Sequence, residues 1–131
     1  MRSVEYLNEL IPFPSVSRTS NVDVSRWVDQ RLQELGFQTE WLEYNDAAGL
    51  TKTCVLGRRG PDTGRGLAYF CHTDVVPVDS WSFGNSGPWE PLQTDDRLYG
   101  RGSCDMKGSL ACMLAAAESA KDQTTDAPLY I

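Results

Sequence analysis

Positive charge is in short supply. The 131 residues carry 12 Lys and Arg against 18 Asp and Glu, a formal net charge of −6. No cationic surplus is left to neutralise a phosphate backbone, which excludes a general nucleic-acid binder. Long apolar runs are missing as well, and none approaches the length of a membrane span. The opening MRSVEYLNEL has no signal-peptide core, so a cytoplasmic protein with no membrane partner is expected. The four cysteines, Cys54, Cys71, Cys104 and Cys112, include no C-x-x-C pair. That argues against a structural zinc site and leaves four mostly buried free thiols as the expectation. Disulfides are not expected without a secretory signal. Histidine is the scarcest of all, with His72 alone.

What is present is ordinary for a folded domain. Hydrophobic residues make up 40% and charged residues 23%, which argues against disorder, collagen or a coiled coil. Val4, Leu7, Leu10 and Ile11 follow helical spacing over 3–11, and Pro12 and Pro14 end that helix. Val24, Trp27, Val28, Leu32 and Leu35 predict a second helix over 22–35, capped by Ser20 or Asn21 and stopped by Gly36. Strands are expected at 37–44 and 51–58, and GLAYFC at 66–71 reads as a central strand buried on both faces. Residues 79–96 read as a long ordered loop, RLYG as a short strand, and 106–120 as a helix with Leu110, Met113, Leu114 and Ala117 inward. PLYI begins another strand, and the chain stops there. The pattern is α/β, a sheet covered by helices. A chain that stops while entering a core strand reads as part of a larger domain.

Two segments carry chemistry. In FCHTDVVPVDSW, His72 and Asp74 follow the apolar run, and strand alternation would place both on one side. A neutral imidazole is a good zinc ligand, and a nearby carboxylate can hold its other nitrogen. Alone, His-x-Asp is a weak signal. In RLYGRGSCDMKG, Asp105 precedes the Ala-rich helix, where its ordinary role would be an N-cap. Lys107 then has the wrong sign for the helix dipole, which hints that something other than helix stability selected it.

The joint pattern HTDVVPVD-x-W, an aromatic and proline-rich loop, then LYGRG-x-x-DMKG resembles the metallohydrolase family of acetylornithine deacetylase, succinyl-diaminopimelate desuccinylase, aminoacylase and glutamate carboxypeptidase. LNELIPFPSVSRTSN resembles the start of its catalytic domain and WVDQRLQELGF its second helix, while SRTSN and HTDVVPVD look closest to acetylornithine deacetylases. Cys71 stands where a small residue is usual, and PWEP at 88–91 replaces a shorter Pro-Phe motif. The resemblance implies that residues 1–131 are the N-terminal portion of a three-layer catalytic domain with a mixed central sheet flanked by helices. It implies that His72 ligates one Zn²⁺ and Asp105 bridges two, with Co²⁺ a possible substitute, and that Asp74 serves catalysis by holding the His72 ring. It implies a cis peptide after Asp105. It further implies hydrolysis of an amide bond in an N-acyl amino acid or short peptide, by a homodimer.

The family's general base, its remaining ligands and its dimerisation domain would follow the PLYI-type strand, so the chain alone is expected to be inactive. Two other readings stand beside this one. The chain could be a non-catalytic α/β fragment acting as an interaction module, or a stand-alone zinc domain using His72 and cysteines.

Overall fold

A computed structural model describes all 131 residues. Helix α1, Arg2–Leu10, and helix α2, Val22–Glu34, fall where apolar spacing predicts them. Gly36 stops α2 with φ +82°, a left-handed conformation that costs glycine little. Asn21 occupies the cap position of α2 without a side-chain cap bond. Its amide instead grips the next strand: Nδ2 donates to the Thr53 carbonyl at 2.8 Å, and Oδ1 accepts from the Thr53 N–H at 2.9 Å.

Strands β1, Gln38–Asn45, and β2, Thr51–Arg59, form an antiparallel hairpin. β3 is Leu67–Ala68. β4, Leu92–Thr94, and β5, Arg97–Tyr99, form a separate two-stranded ribbon within and after the long loop. Helix α3 spans Lys107–Ser119, and β6 is Leu129–Tyr130. The main sheet has the order β1-β2-β6-β3. β6 runs antiparallel to β2 and parallel to β3. The class is therefore mixed α/β, as expected.

The three helices share one core on one face of the sheet. Leu10, Leu32, Leu110 and Leu114 are fully buried there, with Tyr6, Val24 and Phe37 beside them. Burying a leucine side chain stabilises by about 1.5–3 kcal/mol. A Cβ on Gly57 would sit 3.0 Å from Leu32 Cδ1, so the glycine lets α2 lie close on β2. The opposite face is bare and apolar. Leu42, Tyr44, Leu56 and Phe70 are all exposed.

The expectation for 66–71 needs correcting. Only Leu67 and Ala68 are strand, and this is an edge strand, not a central one buried on both faces. Its single neighbour, β6, is two residues long, so the ladder ends after Ala68, with Leu67 67% and Phe70 86% exposed. Between β2 and residues 68–73 lies an open slot of about 830 Å³ that reaches down to Leu32 and Leu110. The cysteines also depart from expectation, since all four are exposed. Cys54 alternates with the inward Thr53 and Val55 and so faces the bare side.

Candidate metal centre

His72 does not sit on a strand. It lies in the irregular segment beyond β3, where its backbone N–H meets the Met106 sulfur at 3.4 Å. That contact joins the segment to the turn before α3. Two glycines shape this turn. A Cβ on Gly100 would come within 2.6 Å of Ile11, and Gly102, at φ +83°, has Val75 and Lys107 against the same space. The Asp105–Met106 peptide is cis, as the resemblance implies.

Asp105 is not a helix cap. The cap position of α3 is Met106, it lacks a side-chain cap bond, and the Asp105 side chain is 81% exposed. Its Oδ1 stands 3.2 Å from His72 Nε2. The two residues thus converge although 32 residues lie between them in sequence. The approach is poorly aligned as a hydrogen bond, and no hydrogen bond links the two side chains. Two donors on one tetrahedral zinc, each at about 2.0–2.1 Å, lie about 3.3 Å apart. The pair therefore has the separation of one edge of a coordination tetrahedron. This is closer than the ~4–6 Å that adding a metal diameter to two zinc–ligand bonds would give, because both bonds meet at the metal centre.

Asp74 lies on the other side of the ring. Its backbone carbonyl is 3.0 Å from His72 Nδ1, and its carboxylate Oδ1 is 3.4 Å away. An acceptor at Nδ1 favours the tautomer that leaves Nε2 free to ligate. The nearer acceptor is main chain, which a residue-type motif cannot reveal. His72, Asp74 and Asp105 line a cavity of about 470 Å³, together with Ser17, Arg101 and Cys104.

Lys107 supports the turn from beneath. It is fully buried, and its Nζ donates to the Phe13 carbonyl at 2.7 Å and, more weakly, to the Ile11 carbonyl at 3.5 Å. Burial pushes its ammonium down to about 8. The reversed dipole sign in the sequence thus has a structural cause, since the side chain serves the end of α1 rather than the helix it starts.

His72 and Asp105 suit a divalent cation, but they are two donors only. No third His, Cys, Asp or Glu joins them in a cluster. None of the four cysteines joins His72 in such a cluster. Sequence reasoning also missed Ser17. Its hydroxyl lies 2.6 Å from Asp74 Oδ2, and nothing in its spacing from Asp74 announces this.

Residues 68–131 match the family described as Peptidase family M20/M25/M40. Over that stretch the chain is similar to members of this family. The matched stretch contains His72, Asp74 and Asp105. Among curated relatives, a succinyl-diaminopimelate desuccinylase of Rickettsia akari (strain Hartford) is 36% identical over 118 residues, covering 87% of this chain and 30% of that protein. Human carnosine dipeptidase 1 superposes with a TM-score of 0.83 at 22% identity, over 98% of this chain and 30% of that one. The M20 family metallo-carboxypeptidase Sso-CP2 of Sulfolobus solfataricus gives 0.80 at 22% identity, over 99% of this chain and 30% of that one. These likenesses establish the fold. The chain spans about 30% of the length of the relatives it matches. The matched family is described as one of peptidases.

Proposed function

We propose that this chain is the N-terminal part of a metal-dependent amidohydrolase that cleaves an N-acyl amino acid or a short peptide. The observation that carries the reading is the paired approach of His72 Nε2 and Asp105 Oδ1 at 3.2 Å inside one cavity. Zn²⁺ is the proposed metal, two ions in a complete site, with Co²⁺ able to substitute. When bound, such a metal lowers the pKa of water and polarises the scissile carbonyl.

The residues of this chain have separate tasks. His72 offers Nε2 as a neutral donor, and Asp105 offers an exposed carboxylate that can serve two cations. Asp74 accepts at Nδ1 and keeps the ring proton on the side away from the metal. Lys107, Gly100 and Gly102 hold the turn that carries Asp105. A general base and further ligands would come from residues beyond these 131, and the complete enzyme is proposed to be a cytoplasmic homodimer.

Among acyl groups, the desuccinylase relative supports succinyl, and the SRTSN and HTDVVPVD motifs support acetyl. The motifs fall on the site itself, so acetyl is the primary reading. The test is to express the reading frame through its natural end and measure amine release from N-acetyl and N-succinyl amino acids. Activity that needs metal and disappears in His72→Ala is expected. Metal-independent turnover, or turnover that survives His72→Ala, would overturn the reading. Preference for the succinyl substrate would correct the acyl group alone.

A further inference from the structure

We propose that Ser17 is a positioning residue for His72, acting through Asp74; the inference rests on the metal-site reading of His72 given above. The segments around Ser17 and Asp74 are bound together by main chain. Val16 and Val75 form a parallel bridge. The Val75 N–H donates to the Ser15 carbonyl at 2.9 Å, and the Ser17 N–H donates to the Val75 carbonyl at 3.0 Å. The Ser15 hydroxyl adds a bond to the Thr73 carbonyl at 2.6 Å. Those contacts already fix the strap, so the Ser17 hydroxyl is not needed for it.

That hydroxyl has one proton and two acceptors within reach, Asp74 Oδ2 at 2.6 Å and the Val75 carbonyl at 3.2 Å. The shorter bond goes to the charged oxygen, which is the stronger acceptor. Asp74 is thereby held by one carboxylate oxygen while the other stands 3.4 Å from His72 Nδ1, behind the Asp74 main-chain carbonyl at 3.0 Å. Without the hydroxyl, an exposed aspartate side chain can rotate freely and its second oxygen leaves the ring. The chain of contacts is Ser17 to Asp74, Asp74 to Nδ1, and Nε2 to the metal. Ser17 touches neither substrate nor metal. Its contribution adds to that of the Asp74 main-chain carbonyl, which meets Nδ1 without it.

The lone histidine makes this directly observable. With ring nitrogens labelled by ¹⁵N, every imidazole signal of the metal-free chain belongs to His72. The shifts can be read in solution or, for an associated sample, by magic-angle spinning. The Nδ1–H tautomer is expected to dominate. Ser17→Ala should move both ring nitrogens toward averaged values, while amide signals elsewhere stay in place. Ser17→Thr, which keeps a hydroxyl, should restore the original pattern. Zinc titration read through the same signals should show affinity lowered about 10-fold in Ser17→Ala.

Unchanged ring shifts in a folded Ser17→Ala chain would overturn the proposal, as would a change that Ser17→Thr fails to reverse. Should Ser17→Ala not fold, Asp74→Asn decides, because it leaves the strap intact. It must also shift the tautomer balance, and a wild-type pattern would sink the inference. A zinc response at His72 that Asp105→Asn leaves unchanged would refute the metal-site reading alone, because the tautomer comparison is made without metal.

Discussion

At the scale of single residues, Asp105 of the candidate site shows no structural task. Its carboxylate is exposed, caps no helix and approaches only His72. Asp105→Asn should therefore change unfolding free energy by no more than about 0.5 kcal/mol, as for other surface substitutions. Zinc binding read at His72 should fall sharply in the same variant. A large loss in urea melts would show that Asp105 has a structural task. Gly102 is the opposite case. An alanine there would need φ +83° and would bring Cβ to 2.7 Å from Val75 Cγ1 and 3.1 Å from Lys107 Cδ. Crowding of this kind costs about 1–3 kcal/mol, so Gly102→Ala should lower the urea midpoint measurably. It should also displace the turn that carries Asp105, visible as altered His72 ring shifts.

Elements depend on a few polar links as well as on the core. α1 meets α3 through Arg2 Nε, 2.6 Å from Glu118 Oε2, and through the Tyr6 hydroxyl, which donates to the same oxygen at 3.0 Å. The Arg2 hydrogen bond holds the Glu118 carboxyl below its usual value of 4.5, assisted by Tyr6. A depressed carboxyl contributes stability that is present above its unfolded pKa and lost as pH falls through the folded one. Acid should thus loosen the α1–α3 contact at pH values below about 4.5. Glu118→Gln should flatten the stability profile in that range while leaving its shape above about pH 6 unchanged. An identical acid limb in the variant would show that other carboxylates dominate.

Helices were the legible elements, because α1, α2 and α3 each bury one stripe whose spacing is local to the segment. β1 and β2 were legible from their β-rich runs and the turn between them. The 66–71 run misled because hydrophobicity encodes the capacity for burial, whereas burial itself depends on which neighbours are present. The convergence of His72, Asp74 and Asp105 was legible as residue types in paired motifs. Contacts made by main chain were not, and neither was the use of Lys107 across to α1, since both depend on tertiary approach.

The whole molecule exposes more apolar sheet than a self-sufficient domain would. Leu42, Tyr44, Leu56 and Phe70 share the uncovered face, and β3 offers an open edge nearby. Such surfaces invite pairing between copies. Sedimentation of the 131-residue chain should show association that rises with concentration, and Phe70→Lys should weaken it. The same chain should release no amine from N-acyl amino acids with zinc present. Turnover by a clean monomer would contradict both expectations.

The short strand β6 also determines how order is shared out. Residues leading to His72 reach the sheet through the short β3–β6 ladder, whose bonds include Leu67 N–H to Pro128 O at 3.0 Å and Tyr69 N–H to Tyr130 O at 2.9 Å. β6 is itself secured to β2 by the reciprocal pair of Gly57 and Ile131, at 2.7 and 2.9 Å. The helical cluster needs none of these bonds. In native-state hydrogen exchange, the amides of Leu67, Tyr69 and Ile131 should open together at a low free energy. Those inside α2 and α3 should wait for global unfolding. His72 would then belong to a separate, weaker cooperative unit than the scaffold, and any ligand that bridges His72 to Asp105 would raise the protection of that unit first.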